Sequence, residues 1–304
     1  MKKNESSGRE SLSILLRSLC LPAFAAGYEE VSARAEREGW SFPQYLGQLA
    51  EMETENRKRR RIERWLKESG LPPDKTLATL DRSLLPAPIS KQLPTLCEGG
   101  FVDRAENLLA FGLQGRGKTH LLAAVGHELV LREYRVLFVP TVHLVQRLLV
   151  AKKELALEKA LKRLDVFDAV ILDDIGYVQQ SRDEMEVLFT FLAERYERKS
   201  VMITSNLVFS QWDKIFKDPM TTAAAIDRVV HHAIILEMTG ESFRAEEAKS
   251  RNRGMGGAET GAGRAPEEGR PRESKRSDQA PGTRTERKES ASKSRSRGRK
   301  RRAA

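Results

Sequence analysis

The sequence predicts an α/β fold: a parallel sheet covered by helices on both faces and carrying a phosphate-binding loop, preceded by a small helical domain and followed by a basic tail. Three observations predict it. Short, nearly continuous apolar runs alternate with amphipathic stretches from residue 101 onward, as strands buried on both faces require. The first of those runs leads into GLQGRGKT at residues 112–119, a glycine-rich turn between a strand and a helix. Residues 250–304 contain no Leu, Ile, Val, Phe, Trp or Tyr, so that segment has nothing to bury against its ordering entropy and is expected to be disordered.

The elements run in order along the chain. Residues 8–70 carry apolar side chains at helical spacing in SLSILLRSL, YEEVSARAEREGW and FPQYLGQLAEME, then an arginine-dense ENRKRRRIERWLKESG that stops at Gly70 and Pro72; this predicts a helical domain over residues 1–70. Prolines recur across residues 71–100, at Pro72, Pro73, Pro86, Pro88 and Pro94, which predicts a linker packing loosely on the domain after it. Residues 101–247 hold the strand-like runs NLLAFG, RVLFVP, DAVILDD, SVMITSN and AIILEM with helical patterns between them, and form the nucleotide-binding domain. Residues 248–304 are the tail. There is no internal repeat.

Charge is distributed unevenly. The 304 residues contain 53 Lys+Arg and 43 Asp+Glu, a net charge of +10, and the 17 basic and 7 acidic residues of the segment 250–304 account for all of it. The ordered body is neutral, so a nucleic-acid partner there requires clustered cations. Arg57, Lys58, Arg59, Arg60, Arg61 and Arg64 are dense enough for a DNA or partner contact. On a helix such a run spreads around more than one turn, so part of it faces solvent or acidic neighbours. KSRSRGRKRR at 293–302 is either a phosphate-neutralising arm or a solvated end. No zinc-finger or helix-turn-helix spacing reads bases, so target choice is expected to be largely sequence-independent. No apolar run approaches the length of a membrane span, and the start lacks a small-residue cleavage site, so no secretory signal is expected. Cys20 and Cys97 stand alone, with no CxxC and no His partner at ligand spacing, which excludes a disulfide scaffold and argues against a zinc site.

The chemistry concentrates at three strand ends. In the loop Gly112, Leu113, Gln114, Gly115, Arg116, Gly117, Lys118 and Thr119, backbone N–H groups turn inward around a β-phosphate and the following helix adds its positive end. Lys118 reaches the β- and γ-oxygens, and the Thr119 hydroxyl ligates Mg²⁺; His120 reads as a helix-face residue. DAVILDD (168–174) sets two carboxylates at the C-terminal end of a buried strand, where open α/β sheets bind ligands. Asp173 suits the magnesium shell, and Asp174 either polarises the attacking water or caps the next segment. The first role more often falls to Glu, and a side chain one methylene shorter predicts slow or geometry-dependent hydrolysis. SVMITSN puts Thr204, Ser205 and Asn206 at a strand tip; Asn206 is expected to position water against the γ-phosphate, or else to be a turn residue. Arg228 closes a short helix before the last strand, placed to reach a neighbouring subunit's nucleotide or to pair with Asp227 or Glu237. His231 and His232 are adjacent, point different ways if helical, and are expected not to chelate.

GLQGRGKTHL, ILDDIGYVQQSRDEMEVLFTFLAERYERKSVMITSN, FSQWDKIFKDPMTTAAAIDRVVHH and LPAFAAGYEEVSARAEREGWSF resemble the IstB-like ATP-binding proteins of bacterial insertion sequences, relatives of the helicase loader DnaC and the initiator DnaA. The similarity spans residues 10–247, with 171–232 its most specific part. The resemblance implies a bacterial, cytoplasmic AAA+ ATPase using ATP and Mg²⁺, which binds and bends double-stranded DNA as an ATP-dependent homo-oligomer and stimulates a partner transposase. By position it carries Gly112, Gly117, Lys118 and Thr119 to the phosphate loop, Asp173 and Asp174 to Walker B, Asn206 to sensor 1 and Arg228 to the arginine finger. The loop departs from the family's usual two prolines after its first glycine. The tail has no counterpart, and Arg244 is a candidate second sensor although no lid fits between residue 238 and the tail. The alternative is a DnaC-like replicative helicase loader, which shares the ATP machinery but grips a helicase and single-stranded DNA. A small-molecule P-loop kinase would need a lid-like arginine segment and an acceptor pocket, whose signatures are absent. A structural nucleic-acid-binding protein with a dead ATP site would show no turnover.

Overall fold

A computed structural model of the chain describes residues 11–177, 181–207, 211–212 and 219–239. All of them lie within one compact unit, Met1–Gly257. The expected disordered tail, its basic end and Arg244 lie outside the described residues.

After a helical stretch at residues 11–18, α1 (Pro22–Glu38) and α2 (Phe42–Ser69) form an antiparallel hairpin. Helix α2 starts with a capping box: the Ser41 N–H donates to Gln44 Oε1 at 2.8 Å and the Gln44 N–H donates to Ser41 Oγ, so two orphan donors satisfy each other's side chains. It stops at Gly70, whose φ of 67° lies in the left-handed region that a Cβ would strain. Glu53, only 4% exposed, locks the hairpin by accepting from the Ala23 N–H at 2.8 Å and from Arg57 Nε at 2.9 Å. Burial pushes its carboxyl up, but those hydrogen bonds outweigh burial and hold it below the usual carboxylate range.

Residues 71–100 differ from the loosely packed linker expected. They contain α3 (Ala87–Glu98), whose Ile89, Leu93 and Leu96 fall at helical spacing on one buried face, Leu93 being 1% exposed. Pro86 and Pro88, read as breakers, sit at the cap and first turn, where a missing N–H costs nothing. Ile62, Trp65 and Leu66 of α2 pack on the same cluster, so the core runs without a gap from the hairpin into the sheet.

All five strand-like runs are strands: β1 (Asn107–Phe111), β2 (Val136–Pro140), β3 (Ala169–Asp173), β4 (Ser200–Ser205) and β5 (Ala233–Glu237). They form one parallel sheet in the order β2-β3-β4-β1-β5. Between them run α4 (Lys118–Leu131), α5 (Thr141–Lys153), α6 (Leu157–Leu164), α7 (Arg182–Arg195) and α8 (Pro219–Val230). Alternation along each strand feeds two cores. Leu108, Ala110, Ile171 and Met202 meet α3 and α4 on one face, while Leu109, Phe111, Val170, Leu172, Val201 and Ile203 meet α5, α7 and α8 on the other. Among the described residues no helix is long and apolar enough to cross a membrane.

Candidate functional site

The order of strands sets the site. Because β4 lies between β1 and β3, the loop after β1, the carboxylates ending β3 and the polar tip of β4 emerge side by side at the C-terminal edge of the sheet. Helix α4 begins at Lys118, directly after Gly117, whose φ of 76° requires the left-handed conformation. At the other end of the loop a Cβ on Gly112 would lie 2.5 Å from the Met238 carbonyl oxygen, so this glycine is dictated by close approach to the chain leaving β5.

Lys118 is 8% exposed and its ammonium donates to the carbonyls of Gly112 (2.7 Å) and Leu113 (2.9 Å), which holds it folded over its own loop. Asp173 Oδ1 accepts from the Thr119 hydroxyl at 2.8 Å and from the Thr204 hydroxyl at 2.7 Å. Thr204 Oγ1 in turn accepts from the Asp174 N–H at 2.8 Å. Thr141, fully buried at the start of α5, donates to the Asp173 carbonyl at 2.9 Å. Asp173 is thus fixed from three directions, with one carboxylate oxygen outside these bonds. Asp174 adopts φ 61°, an uncommon backbone for a non-glycine residue of the kind that clusters at functional sites.

These groups open onto a cavity of 340 Å³ lined by the loop from Gln114 to His120, by Asp174, Thr204 and Asn206, and on the far wall by Lys75, Thr79, Leu80 and Asp81. Asn206 approaches Gly176 so closely that a Cβ on that glycine would sit 2.2 Å from Asn206 Oδ1. Two buried polar atoms here, Asn206 Oδ1 and Arg116 Nη1, lack a hydrogen-bond partner among the described residues, and buried polar atoms without partners call for a ligand or water. An anionic, oxygen-rich ligand answers the loop amides, Lys118 and Arg116. The Thr119 hydroxyl beside the Asp173 carboxylate is a hard-oxygen donor set that fits a magnesium ion.

The structure therefore brings together Gly112 to Thr119, Asp173, Asp174 and Asn206, as expected. His120, expected as a plain helix-face residue, instead turns its Nε2 to Thr79 Oγ1 (3.1 Å) and the Thr76 carbonyl (3.2 Å), joining α4 to the far wall. Sequence reasoning passed over Thr141, Gly176, the far wall and the bridging role of Thr204. For Thr204 the signal was present: a polar side chain alternating into a buried strand end needs a partner.

Arg228 is not at this cavity. Asn107, the first residue of β1, donates from Nδ2 to the Val229 carbonyl at 2.9 Å, which puts the last turn of α8 at the opposite edge of the sheet. There Arg228 Nη1 donates to the Ala224 carbonyl at 3.1 Å and the guanidinium stacks 4.9 Å from the Phe189 ring centroid. It pairs with neither Asp227 nor Glu237.

The basic run lies on α2, mostly matched by acids. Arg57 pairs with Glu53, Lys58 and Arg61 with Glu133, Arg59 with Glu63 at 4.0 Å and Arg64 with Glu68 at 4.0 Å. Arg60, exposed, has no carboxylate partner among the described residues. His231 and His232 are not helical: they occupy the turn after α8, with ring centroids 4.1 Å apart. Their expected divergence is corrected, because the chain leaves the helix at Val230 and no longer turns 100° per residue.

Strand order, phosphate loop and paired carboxylates define an α/β P-loop protein of the AAA+ type. Comparison with known proteins places it more narrowly. Residues 14–251 match the family model described as IstB-like ATP binding protein, and the chain belongs to that family. It is 44% identical over 246 residues to an insertion sequence ATP-binding protein of Sinorhizobium fredii, covering 81% of this chain and 83% of that one. It is 35% identical over 238 residues to the insertion sequence IS21 ATP-binding protein of Pseudomonas aeruginosa, covering 78% and 90%. A solved structure of AMPPCP-bound DnaA from Aquifex aeolicus aligns over 62% of this chain and 57% of that one, at 19% identity and a TM-score of 0.47.

Proposed function

We propose that this protein is the ATPase helper of an insertion sequence: it binds ATP with Mg²⁺, assembles into a homo-oligomer on double-stranded DNA, hydrolyses ATP there and stimulates a partner transposase. The observation that carries the ATPase reading is the convergence of the Thr119 and Thr204 hydroxyls on Asp173, with Asp174 and Asn206 on the same cavity wall. Family membership supports the insertion-sequence context.

In this reading the loop amides and the start of α4 hold the β-phosphate, and Lys118 moves from its loop carbonyls to the phosphate oxygens. Thr119 and Asp173 hold Mg²⁺, which when bound neutralises charge developing on the phosphate oxygens. Asp174 takes hydrogen bonding from the attacking water, and Asn206, pressed against Gly176, orients that water. Arg228 cannot reach the cavity of its own chain from the other edge of the sheet, so it serves the nucleotide of a neighbouring copy and makes turnover depend on assembly. Residues 1–70, with the run on α2, make the DNA or transposase contact, and residues 101–247 carry the ATPase. The α2 run enters this role with most of its charge already matched, so any DNA grip is a shared surface of many copies rather than one strong patch.

The test is binding of the purified protein to a random-sequence duplex with ATP, ADP or no nucleotide across a salt series, beside Lys118→Ala. Binding that requires ATP and fails in the variant supports a nucleotide-gated DNA clamp. Binding indifferent to nucleotide assigns the affinity to basic segments alone, and absence of duplex binding in favour of single strands moves the protein to the helicase-loader class.

A further inference from the structure

We propose that Glu197, His231 and His232 form a binding site for one divalent transition-metal ion of the zinc class, at the edge of the sheet opposite the phosphate loop. The site arises from where two elements end. Helix α7 stops at Arg195, so Glu197 lies in the turn leading to β4. Helix α8 stops at Val230, so both histidines lie in the turn leading to β5. His232 is fixed through its backbone, its carbonyl accepting from the Asn107 N–H at 2.7 Å. The side chains meet in front of those turns: His232 Nε2 is 3.6 Å from Glu197 Oε1, and one donor atom from each residue lies within 4.8 Å of the other two. Donors bound to tetrahedral zinc are about 3.4 Å apart, so about 1 Å of side-chain movement closes the set. All three residues are exposed and free to make it.

The surroundings resemble the outer shell of a metal site more than a chance surface cluster. Tyr196 OH lies 2.8 Å from His231 Nδ1. When the phenol oxygen accepts from Nδ1–H, the Nε2 lone pair of His231 is left for a metal. Glu106 acts on His232 and Asp227 acts on Tyr196, adding negative charge, while Arg228 and Arg104 partly offset it. Two imidazoles and one carboxylate suit Zn²⁺, Co²⁺ or Ni²⁺ and not the all-oxygen preference of Mg²⁺. The fourth position faces water. A bound ion would cross-link the α7–β4 turn to the α8–β5 turn, three residues beyond Arg228, and the inference stands whether or not the protein hydrolyses ATP.

The test uses the full chain in excess Mg²⁺, which saturates the oxygen site at Asp173. Titration with Co²⁺ at neutral pH is expected to give the visible absorption of four-coordinate cobalt at one equivalent, displaced by Zn²⁺, and Zn²⁺ at about 100 times its dissociation constant is expected to raise the melting temperature by roughly 5 °C. Both signals are expected to vanish in His232→Ala and in Glu197→Gln, and to persist in His143→Ala, an exposed histidine elsewhere. Circular dichroism establishes that the variants are folded. Absence of one-equivalent binding, or the same spectrum and thermal shift in either site variant, overturns the proposal.

Discussion

The two edges of the sheet are built on opposite terms. At the C-terminal edge several polar groups satisfy one another: two threonine hydroxyls share one oxygen of Asp173, and Lys118 is held by the carbonyls of its own loop. At the other edge Arg228 has a single helix carbonyl and an aromatic face, and the histidines and Glu197 stand exposed. Asn107 and Phe111 mark the two edges along β1, about 13 Å apart at 3.3 Å per residue. The lesson is one of division. The phosphate loop lies at one edge and Arg228 at the other, so within one copy the proposed site and the proposed finger do not meet.

Separating the edges by mutation gives the largest expected effect. Arg228→Ala is expected to lower turnover of the assembled protein by about 1,000-fold, the scale of a lost arginine finger, while nucleotide affinity stays within about twofold. Steady-state hydrolysis over a protein concentration series checks it, and unchanged turnover at high concentration would break the division. Lys118→Ala acts at the other edge and is expected to weaken nucleotide binding by about 100-fold, the loss of charge-assisted hydrogen bonds to phosphate. A fluorescent nucleotide titration reads it.

Thr204→Val sharpens the comparison from inside the preorganised edge. It removes a donor to Asp173 and an acceptor for the part-buried Asp174 N–H, at a cost of about 1–3 kcal/mol. Stability by denaturant melt is expected to fall by that amount. Turnover is expected to fall with it, because Asp174 loses the bond that holds its unusual φ.

The sheet was legible because buried strands on both faces leave an unmistakable apolar run, and the loop because its glycines and lysine have few other uses. What escaped were contacts that depend on strand order. Nothing local to Thr204 says that β4 lies between β1 and β3, and nothing local to Gly176 says that Asn206 will press on it. The prolines of 71–100 misled for a physical reason: Pro88 at a helix start and Pro88 in a linker look alike until Leu93 is seen buried. The adjacent histidines misled because the end of α8 falls between Arg228 and His231, and a one-residue shift in a helix boundary decides whether neighbouring side chains diverge or meet.

The smallest effects distinguish residues within the α2 run, where the sequence showed only a block of charge. Arg57 supports Glu53, so Arg57→Ala is expected to cost about 1 kcal/mol, discounted for the exposure of the arginine, or roughly 2–4 °C in melting temperature. The sign with pH comes from the depressed carboxyl of Glu53. Its contribution is present above about pH 4.3, the ordinary glutamate value, and fades as pH falls through the lower folded value. Arg57→Ala should therefore flatten the loss of stability as pH falls below the ordinary glutamate value. Arg60, with no carboxylate partner, is the opposite case. Arg60→Ala is expected to leave stability within about 0.5 kcal/mol and to lower the slope of log affinity against log salt for duplex DNA by about 1. A slope that changes with Arg57 and not with Arg60 would mean that the paired face, rather than the open one, meets the phosphates.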